Sequence, residues 1–382
     1  MRQFTYYEFF AGGGMVSAAL GPRWRRLFAN DIDPEKAAAF AANWGADGLL
    51  VRDVRAVTVA DLPGRPDLVW ASSPCQDLSL GGRGAGFAGA RSAAFLPFWA
   101  LVEALAADGR APAIVAFENV YGALVSRGGA DLRVVADAFR RAGYRFGAAV
   151  LDAAAFLPQS RPRLFVVGLR RDMAPPPGLA AAAPEPDRHP TALVAGLRTL
   201  LASGDAFLLA PPRPPARNIG LADLLQDDPP DAPWLPDAET ARRLAMIAPR
   251  HRPALDAARA ARGRVVAPLF RRTRVEAGVK VSRYEPRWDG LAGCLRTPAG
   301  GSSRQEILVF EHGRARMRLF SPRETARLMG LPDGYALPAR RSAAFRLTGD
   351  GVAVPVVRWL RDTVFEPALE PAAAPLSRAP AV

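Results

Sequence analysis

Between residue 4 and about residue 170, short apolar runs alternate with longer segments whose apolar residues recur at helical spacing. The runs "TYYEFFA" (5–11), "RLFAND" (26–31), "PDLVWAS" (66–72) and "AIVAFENV" (113–120) read as buried strands. The alanine-rich "PEKAAAFAANWG" (34–45) and "AAFLPFWALVEALAADG" (93–109) predict helices between them. Strands alternating with helices predict an α/β fold, a parallel sheet covered by helices on both faces. "RFGAAVLDAAAF" (145–156) and "PRLFVVGLR" (162–170) follow as an antiparallel pair.

The pattern breaks after Arg170. "MAPPPGLAAAAPEPDRHP" (173–190) and "APPRPPARN" (210–218) carry too many prolines to continue a sheet. Residues 172–318 show no regular alternation and predict a second, smaller, irregular unit. "LFSPRETARLMGLP" (319–332) restores an amphipathic helix, with Ser321 as N-cap, Pro322 in the first turn and Glu324 closing a capping box. "GDGVAVPVVRWLRDTVF" (349–365) reads as a last helix, and residues 367–382 as a disordered tail. The expected organisation is one discontinuous domain, 1–171 and 319–366, interrupted by the unit 172–318.

The opening "FTYYEFFAGGGMVSAAL" is broken by Glu8 and three glycines and has no basic leader, so it reads as strand and turn, not as a signal peptide or membrane span. Hydrophobic residues make up 49% of the 382, enough for a large core, and charged residues 23%. Two cysteines exclude a disulfide framework and fit a reducing cytoplasm. The net charge of +13 is concentrated: Arg250 to Arg323 holds 17 Lys+Arg against 6 Asp+Glu, and all but Lys280 are arginines. Such clustering is the footprint of a polyanion partner or of an arginine-rich solvated surface.

Candidate chemistry collects at strand ends, where open parallel sheets bind ligands. One strand runs into Ser73-Pro74-Cys75-Gln76 and another into Glu118-Asn119-Val120. "PQSRPR" carries Gln159, Arg161 and Arg163 into a later strand. "FFAGGGMVSAALG" is a strand, a glycine turn and a helix, and "FANDIDP" sets Asp31 about twenty residues on, where an acid binds ribose hydroxyls. That pair points to a nucleoside-bearing cofactor.

In order, "FAGGG", "NDID", "SSPCQDLS", "ENV", "QSRPR", "SPRETARLMGLPDGY" and "GDGVAVPV" resemble the motifs of the DNA (cytosine-5) methyltransferase family, over about residues 4–170 and 319–360. The resemblance implies a Rossmann-like S-adenosylmethionine-dependent methyltransferase sheet, with a target-recognition domain in the middle. It implies S-adenosyl-L-methionine as cofactor and a cytosine flipped out of double-stranded DNA as substrate. Cys75 becomes the nucleophile at carbon 6, Glu118 the acid beside N3, and Arg163 the partner of the base carbonyl. Arg161 adds positive charge, while Asn119, Gln159, Pro74 and Gln76 support the site. Phe10, Gly12 and Gly14 wrap the methionine end of the cofactor, Asp31 takes the ribose, Ile32 packs on the adenine and Asp53 meets its amino group, beside Val54 and Pro74. Met15 and Asp350 depart from the usual family residues.

On the DNA side, the glycine-rich 78–92 carries Arg83 and Arg91 and reads as a lid, and Arg271, Arg272, Arg274 and Lys280 as groove contacts. Cys294, with no second motif near it, reads as structural. The implied setting is the cytoplasm, at the nucleoid, either in a restriction-modification pair with a separate endonuclease or as an orphan or phage enzyme. An RNA-directed member of the family, a non-catalytic DNA-binding relative and a nicotinamide-dependent enzyme are the alternatives. The last leaves Pro-Cys-Gln and Glu-Asn-Val unexplained.

Overall fold

The computed structural model describes residues 2–74, 94–276, 278–297 and 305–370. Eight strands form one sheet: β1 (Phe4–Phe9), β2 (Trp24–Asp31), β3 (Leu49–Val51), β4 (Leu68–Ser72), β5 (Ile114–Val120), β6 (Tyr144–Asp152), β7 (Pro162–Arg170) and β8 (Ala206–Leu208). Their order is β3-β2-β1-β4-β5-β7-β6-β8. Every pairing is parallel except those of β7, which runs antiparallel to both β5 and β6. The order reverses between β1 and β4, and this switch point opens the crevice that holds the site.

Both faces of the sheet are covered, as the apolar runs require. Helices α1 (Met15–Leu20) and α2 (Pro34–Trp44) follow β1 and β2, α3 (Phe95–Ala107) lies between β4 and β5, and α4 (Ala130–Arg141) between β5 and β6. On one face Trp70 of β4 packs edge-on against Phe165 and Phe365. On the other, Phe95, Phe98 and Trp99 of α3 meet Phe117 and Phe139 in a chain of ring contacts. Each fully buried ring contributes about 1.5–3 kcal/mol through removal from water.

The middle of the chain is more regular than its sequence pattern indicates. Helix α5 (Thr191–Ser203) leads into β8, which pairs in parallel with β6. Leu193, Leu197 and Ala206 join the core of the large sheet, which therefore continues past the expected break at residue 171. After α6 (Asp237–Ala245) and α7 (Arg252–Ala260) come four antiparallel strands, β9 (Val265–Glu276), β10 (Val279–Pro286), β11 (Glu306–Glu311) and β12 (Arg314–Leu319), in the order β10-β9-β11-β12. Alternation was hidden because the outer halves of β9 and β10 carry polar and charged residues on both faces; only their inner ends pack on Leu269, Tyr284, Leu308 and Met317.

The chain then returns to the large sheet through α8 (Pro322–Arg327), α9 (Arg341–Asp350), α10 (Val354–Leu360) and α11 (Glu366–Leu369). Ser321 and Glu324 form the expected capping box. The expected last helix starts at Val354, because Gly349 and Asp350 already close α9. The expected disordered tail begins too early: residues 367–369 are helical, and Ala368 and Leu369 are buried. Among the described residues no helix is long and apolar enough to cross a membrane.

One buried ion pair joins the second sheet to α8. Arg318 of β12 donates to both Glu324 oxygens at 2.6 and 2.7 Å and to the Gln226 carbonyl at 2.6 Å. The backbone N–H groups of Gln226 and Ser321 complete the carboxylate's partners at 2.7 and 2.8 Å. Both side chains are fully buried. Breaking such a pair from one side strands a charge in low dielectric, at a cost of about 3–5 kcal/mol. Arg318→Met is therefore expected to lower the urea midpoint of unfolding by a matching amount. An unchanged midpoint would show that the pair contributes nothing to the junction.

Candidate active site at the strand ends

A cavity of about 600 Å³ lies at the carboxyl ends of β1, β2, β4 and β5. Its wall includes Phe10, Gly12, Asp31, Ile32, Asp53 and Val54, and on the other side Pro74, Glu118, Asn119 and Arg163. Residues taken from six separate stretches of sequence thus face one space. Cys75, Gln76, Arg83 and Arg91, together with the expected lid at 78–92, lie outside the described residues.

The reversed direction of β7 explains how Glu118 meets Arg163. Val120, near the end of β5, stands opposite Arg163, at the start of β7. An antiparallel neighbour brings its first residues to the crevice where the parallel strands end. Arg163 Nε lies 3.3 Å from Glu118 Oε1, with both side chains largely buried. Burial pushes the Glu118 carboxyl above its ordinary value, and Arg163, Arg161 and the Ser72 hydroxyl oppose that rise without cancelling it. Such a carboxyl is suited to hold a proton near neutrality. Asn119 donates to Ser73 Oγ at 3.0 Å and accepts from Val120 N at 2.8 Å, which ties the end of β5 to the segment leading to Cys75.

At the other end of the cavity, Asp31 Oδ2 accepts from Gly12 N at 2.7 Å and Oδ1 from Asp33 N at 2.8 Å. Burial raises the Asp31 carboxyl, with Lys36 the strongest opposing charge. Ile32 beside it is 63% exposed, an apolar side chain left uncovered on a cavity wall. Asp53 accepts from Arg55 N at 2.9 Å and keeps its place at the rim.

Several expected site residues sit elsewhere. Gly14 does not line the cavity: it holds the left-handed turn before α1 (φ 76°), and a Cβ there would run into the Trp44 ring. Gly13 lines it instead, its carbonyl fixed by Tyr335 Oη at 2.7 Å and Trp44 Nε1 at 3.0 Å. Gln159 is a joint behind the site, donating to Leu328 O at 2.6 Å and accepting from Leu295 N at 3.2 Å. Arg161 does not line the cavity either, and donates to the carbonyls of Gly349 and Gly351 at 2.8 and 2.6 Å. Of the two departures, Met15 is buried at the cavity wall, and Asp350 pairs with Lys36 at 2.6 Å, an ion pair at its rim that an asparagine would lack.

Glu8 is a cavity residue that the motifs did not single out. Gly14 has no side chain to cap α1, and the Glu8 carboxyl stands near that end of the helix, accepting from Ser17 Oγ at 2.7 Å. Its only sequence signal was an acid inside an apolar run.

Glycine turn, strand-end acid and buried carboxyl–guanidinium pair, set at a topological switch point, define a doubly wound α/β protein with a nucleoside-sized crevice. The model of the C-5 cytosine-specific DNA methylase family matches residues 4–366, and the chain belongs to that family. It is 33% identical over 178 residues to the orphan methyltransferase M.SPRI of Bacillus phage SPR, covering 45% of this chain and 39% of that one. The chain thus aligns with well under half the length of that relative. Against the type II methyltransferase M.NlaX of Neisseria lactamica it is 25% identical over 364 residues, 94% of this chain and 95% of the other. The fold is shared with the crystal structure of the S. pombe Dnmt2 methyltransferase (TM-score 0.55, 16% identity, 95% of this chain and 99% of that one). It is also shared with a putative DNA modification methyltransferase encoded within an E. coli prophage (TM-score 0.53, 17% identity, 94% and 97%).

Glu8 gives a pH test of the glycine turn. Burial pushes its carboxyl up to about 7, against the Ser17 hydrogen bond and the Arg26 charge. Between the unfolded value of about 4.3 and this folded value, the folded protein binds more protons, so stability from this group falls as pH rises through that window. Glu8→Gln removes the loss: its thermal stability relative to wild type should rise from pH 5 to pH 8 by on the order of 2–3 kcal/mol. A constant difference across that range would contradict the assignment.

Proposed function

We propose that the chain methylates carbon 5 of a cytosine in double-stranded DNA, with S-adenosyl-L-methionine as methyl donor. The observation that carries this reading is the shared cavity, in which Glu118 and Arg163 face Asp31, Ile32 and Asp53. Its donor set suits that cofactor: carboxylates at Asp31 and Asp53 for ribose hydroxyls and an adenine amino group, and uncovered Ile32 and buried Val54 as apolar walls for the ring. Phe10, Gly12 and Gly13, which line the same cavity, would hold its methionine end. When bound, the cofactor supplies an electrophilic methyl group.

Carbon 5 of cytosine is too weak a nucleophile by itself. The Cys75 thiolate adds to carbon 6, forming a carbon–sulfur bond, and the electron pair moves towards N3. Glu118 donates its proton to N3, and Arg163 holds the base carbonyl oxygen, so the displaced charge is neutralised where it develops. Carbon 5 then takes the methyl group and loses its proton to solvent as the carbon–sulfur bond breaks and releases the Cys75 thiolate, and N3 returns its proton to Glu118. The base reaches this site only by rotating out of the duplex, at a cost of a few kcal/mol met by contacts to the DNA backbone.

The β9–β10 hairpin is the proposed groove contact. Arg271 and Lys280 share one of its faces, as the pairings Val275–Lys280 and Arg271–Tyr284 require, and Val275 and Val279 near its tip are 69% and 62% exposed. A two-stranded ribbon fits the major groove. Arg274 is clamped by Glu285 at 2.7 and 2.8 Å, and Arg250 and Arg272 lie 2.8 and 3.3 Å from the same carboxylate. Glu285 therefore orients three guanidiniums together. The activity fits a restriction-modification pair, with a separate endonuclease, or an orphan enzyme; the relatives are named as orphan and as type II methyltransferases.

Cys75→Ala is expected to abolish methyl transfer while DNA binding persists. Glu118→Gln is expected to slow single-turnover chemistry by about 10²–10⁴ with cofactor affinity nearly unchanged. The reverse pattern, weak cofactor binding with normal chemistry, would reassign Glu118. For the hairpin, Arg271→Ala and Lys280→Ala should each reduce the slope of log affinity against log salt by about 1 if the contact is to phosphate. An unaltered slope and affinity in both variants would move the DNA contact off this hairpin.

A further inference from the structure

Cys294 belongs to the segment between β10 and β11, outside the large sheet, yet its sulfur lies against Arg161, just before β7, and Arg163, its second residue. Arg161 Nη1 donates to Cys294 Sγ at 3.3 Å, and Arg163 Nη2 at 3.5 Å. The same Arg163 turns Nε to Glu118 at 3.3 Å. One guanidinium thus spans a sulfur on one side and the buried carboxyl on the other. The Arg163–Cys294 contact stands between two hollows, since Arg163 lines the strand-end cavity and Cys294 lines the cleft beside the β9–β10 hairpin.

The sulfur is placed by a clamped backbone. Ala292 exchanges hydrogen bonds with Pro158 O and Ser160 N at 2.8 and 2.9 Å. Gln305 brackets the next residues, accepting from Gly293 N at 2.9 Å and donating to the carbonyls of Gly293 and Cys294 at 2.9 and 3.2 Å. A thiol with a purely packing role would be surrounded by apolar side chains. Burial pushes this thiol up, but Arg161, Arg163 and Arg296 outweigh it and hold it below the ordinary thiol value. Partial negative charge on sulfur strengthens each N–H···S contact.

We infer that Cys294 is a positioning residue, whose sulfur holds the Arg163 guanidinium in the orientation that faces Glu118 and the cavity. The inference rests on the proposed roles of Glu118 and Arg163 at the base. Its electrostatic consequence follows from sharing. Among the described residues, the charged groups facing Glu118 are Arg163 and Arg161, with the Ser72 hydroxyl from β4. Those facing Cys294 are Arg161, Arg163 and Arg296. A guanidinium engaged by sulfur draws less on the carboxyl, which keeps its proton to higher pH. Without the sulfur, Glu118 ionises more easily and the alkaline limb of the rate profile moves to lower pH.

The test compares single-turnover methylation of duplex DNA at saturating S-adenosyl-L-methionine, from pH 6 to pH 9, in wild type, Cys294→Ala and Cys294→Ser. The alanine variant is expected to be about ten- to a hundredfold slower, as for a misplaced reacting group, with unchanged cofactor affinity and an earlier alkaline limb. Serine, which keeps an acceptor at the same point, should recover most of the rate at neutral pH. A wild-type rate and profile in Cys294→Ala overturns the inference, and so does a loss of cofactor binding in step with the rate. If Glu118→Gln is slow while Cys294→Ala is normal, only this inference fails; if Glu118→Gln is itself normal, the reading beneath it fails. A second measurement is independent of activity. In Cys75→Ser, Cys294 is the one remaining cysteine of the chain, and its thiolate absorbance can be titrated directly. Arg163→Gln should move that titration to higher pH, and an unmoved titration would contradict the contact.

Discussion

The contact between Glu118 and Arg163 depends on a single reversal of strand direction. Were β7 parallel to β5, its first residues would lie at the far edge of the sheet, and the crevice would hold a buried acid with no cation beside it. With β7 reversed, the guanidinium enters at the level where β5 ends. Burial then favours the protonated acid while the cation limits how far. The crevice can therefore carry both a proton donor and a fixed positive charge without stranding either one.

Two seams keep that crevice in register with the second sheet. Arg318 and Glu324 form the outer one, with Gln226 drawn in from the middle of the chain. Arg161 and Gln159 form the inner one, meeting the carbonyl and the N–H of Leu295 in the segment between β10 and β11. Both are built from buried side chains whose polar atoms meet backbone groups, so sliding of one unit on the other would leave donors and acceptors unpaired. Cys294 sits on the inner seam, which is why a residue from the hairpin side of the molecule can act on a group in the strand-end cavity.

The large sheet was legible because its strands are buried on both faces and read as continuous apolar runs. The strand-end residues were legible because short strings such as Pro-Cys-Gln and Glu-Asn-Val place their chemistry locally. What escaped depends on distant partners or on brevity. β3 and β8 have three residues each, too few for a pattern. The hairpin strands β9 and β10 are charged on both faces towards their tip, which erases alternation. Gln159 and Arg161 looked like site residues because they neighbour Arg163 in sequence, yet both precede β7, and their side chains are taken up by the carbonyls of Leu328, Gly349 and Gly351. Cys294 had no local signal, since its partners are Arg161 and Arg163, far back in the chain.

The most direct test of the account is capture of the base at this crevice. Duplex DNA in which cytosine is replaced by 5-fluorocytosine, incubated with the protein and S-adenosyl-L-methionine, cannot lose a proton from carbon 5 after methyl transfer. The account predicts a denaturation-resistant protein–DNA adduct that maps by peptide mass spectrometry to Cys75 and needs the cofactor to accumulate. No adduct under conditions that methylate ordinary DNA, or an adduct at another residue, would contradict it.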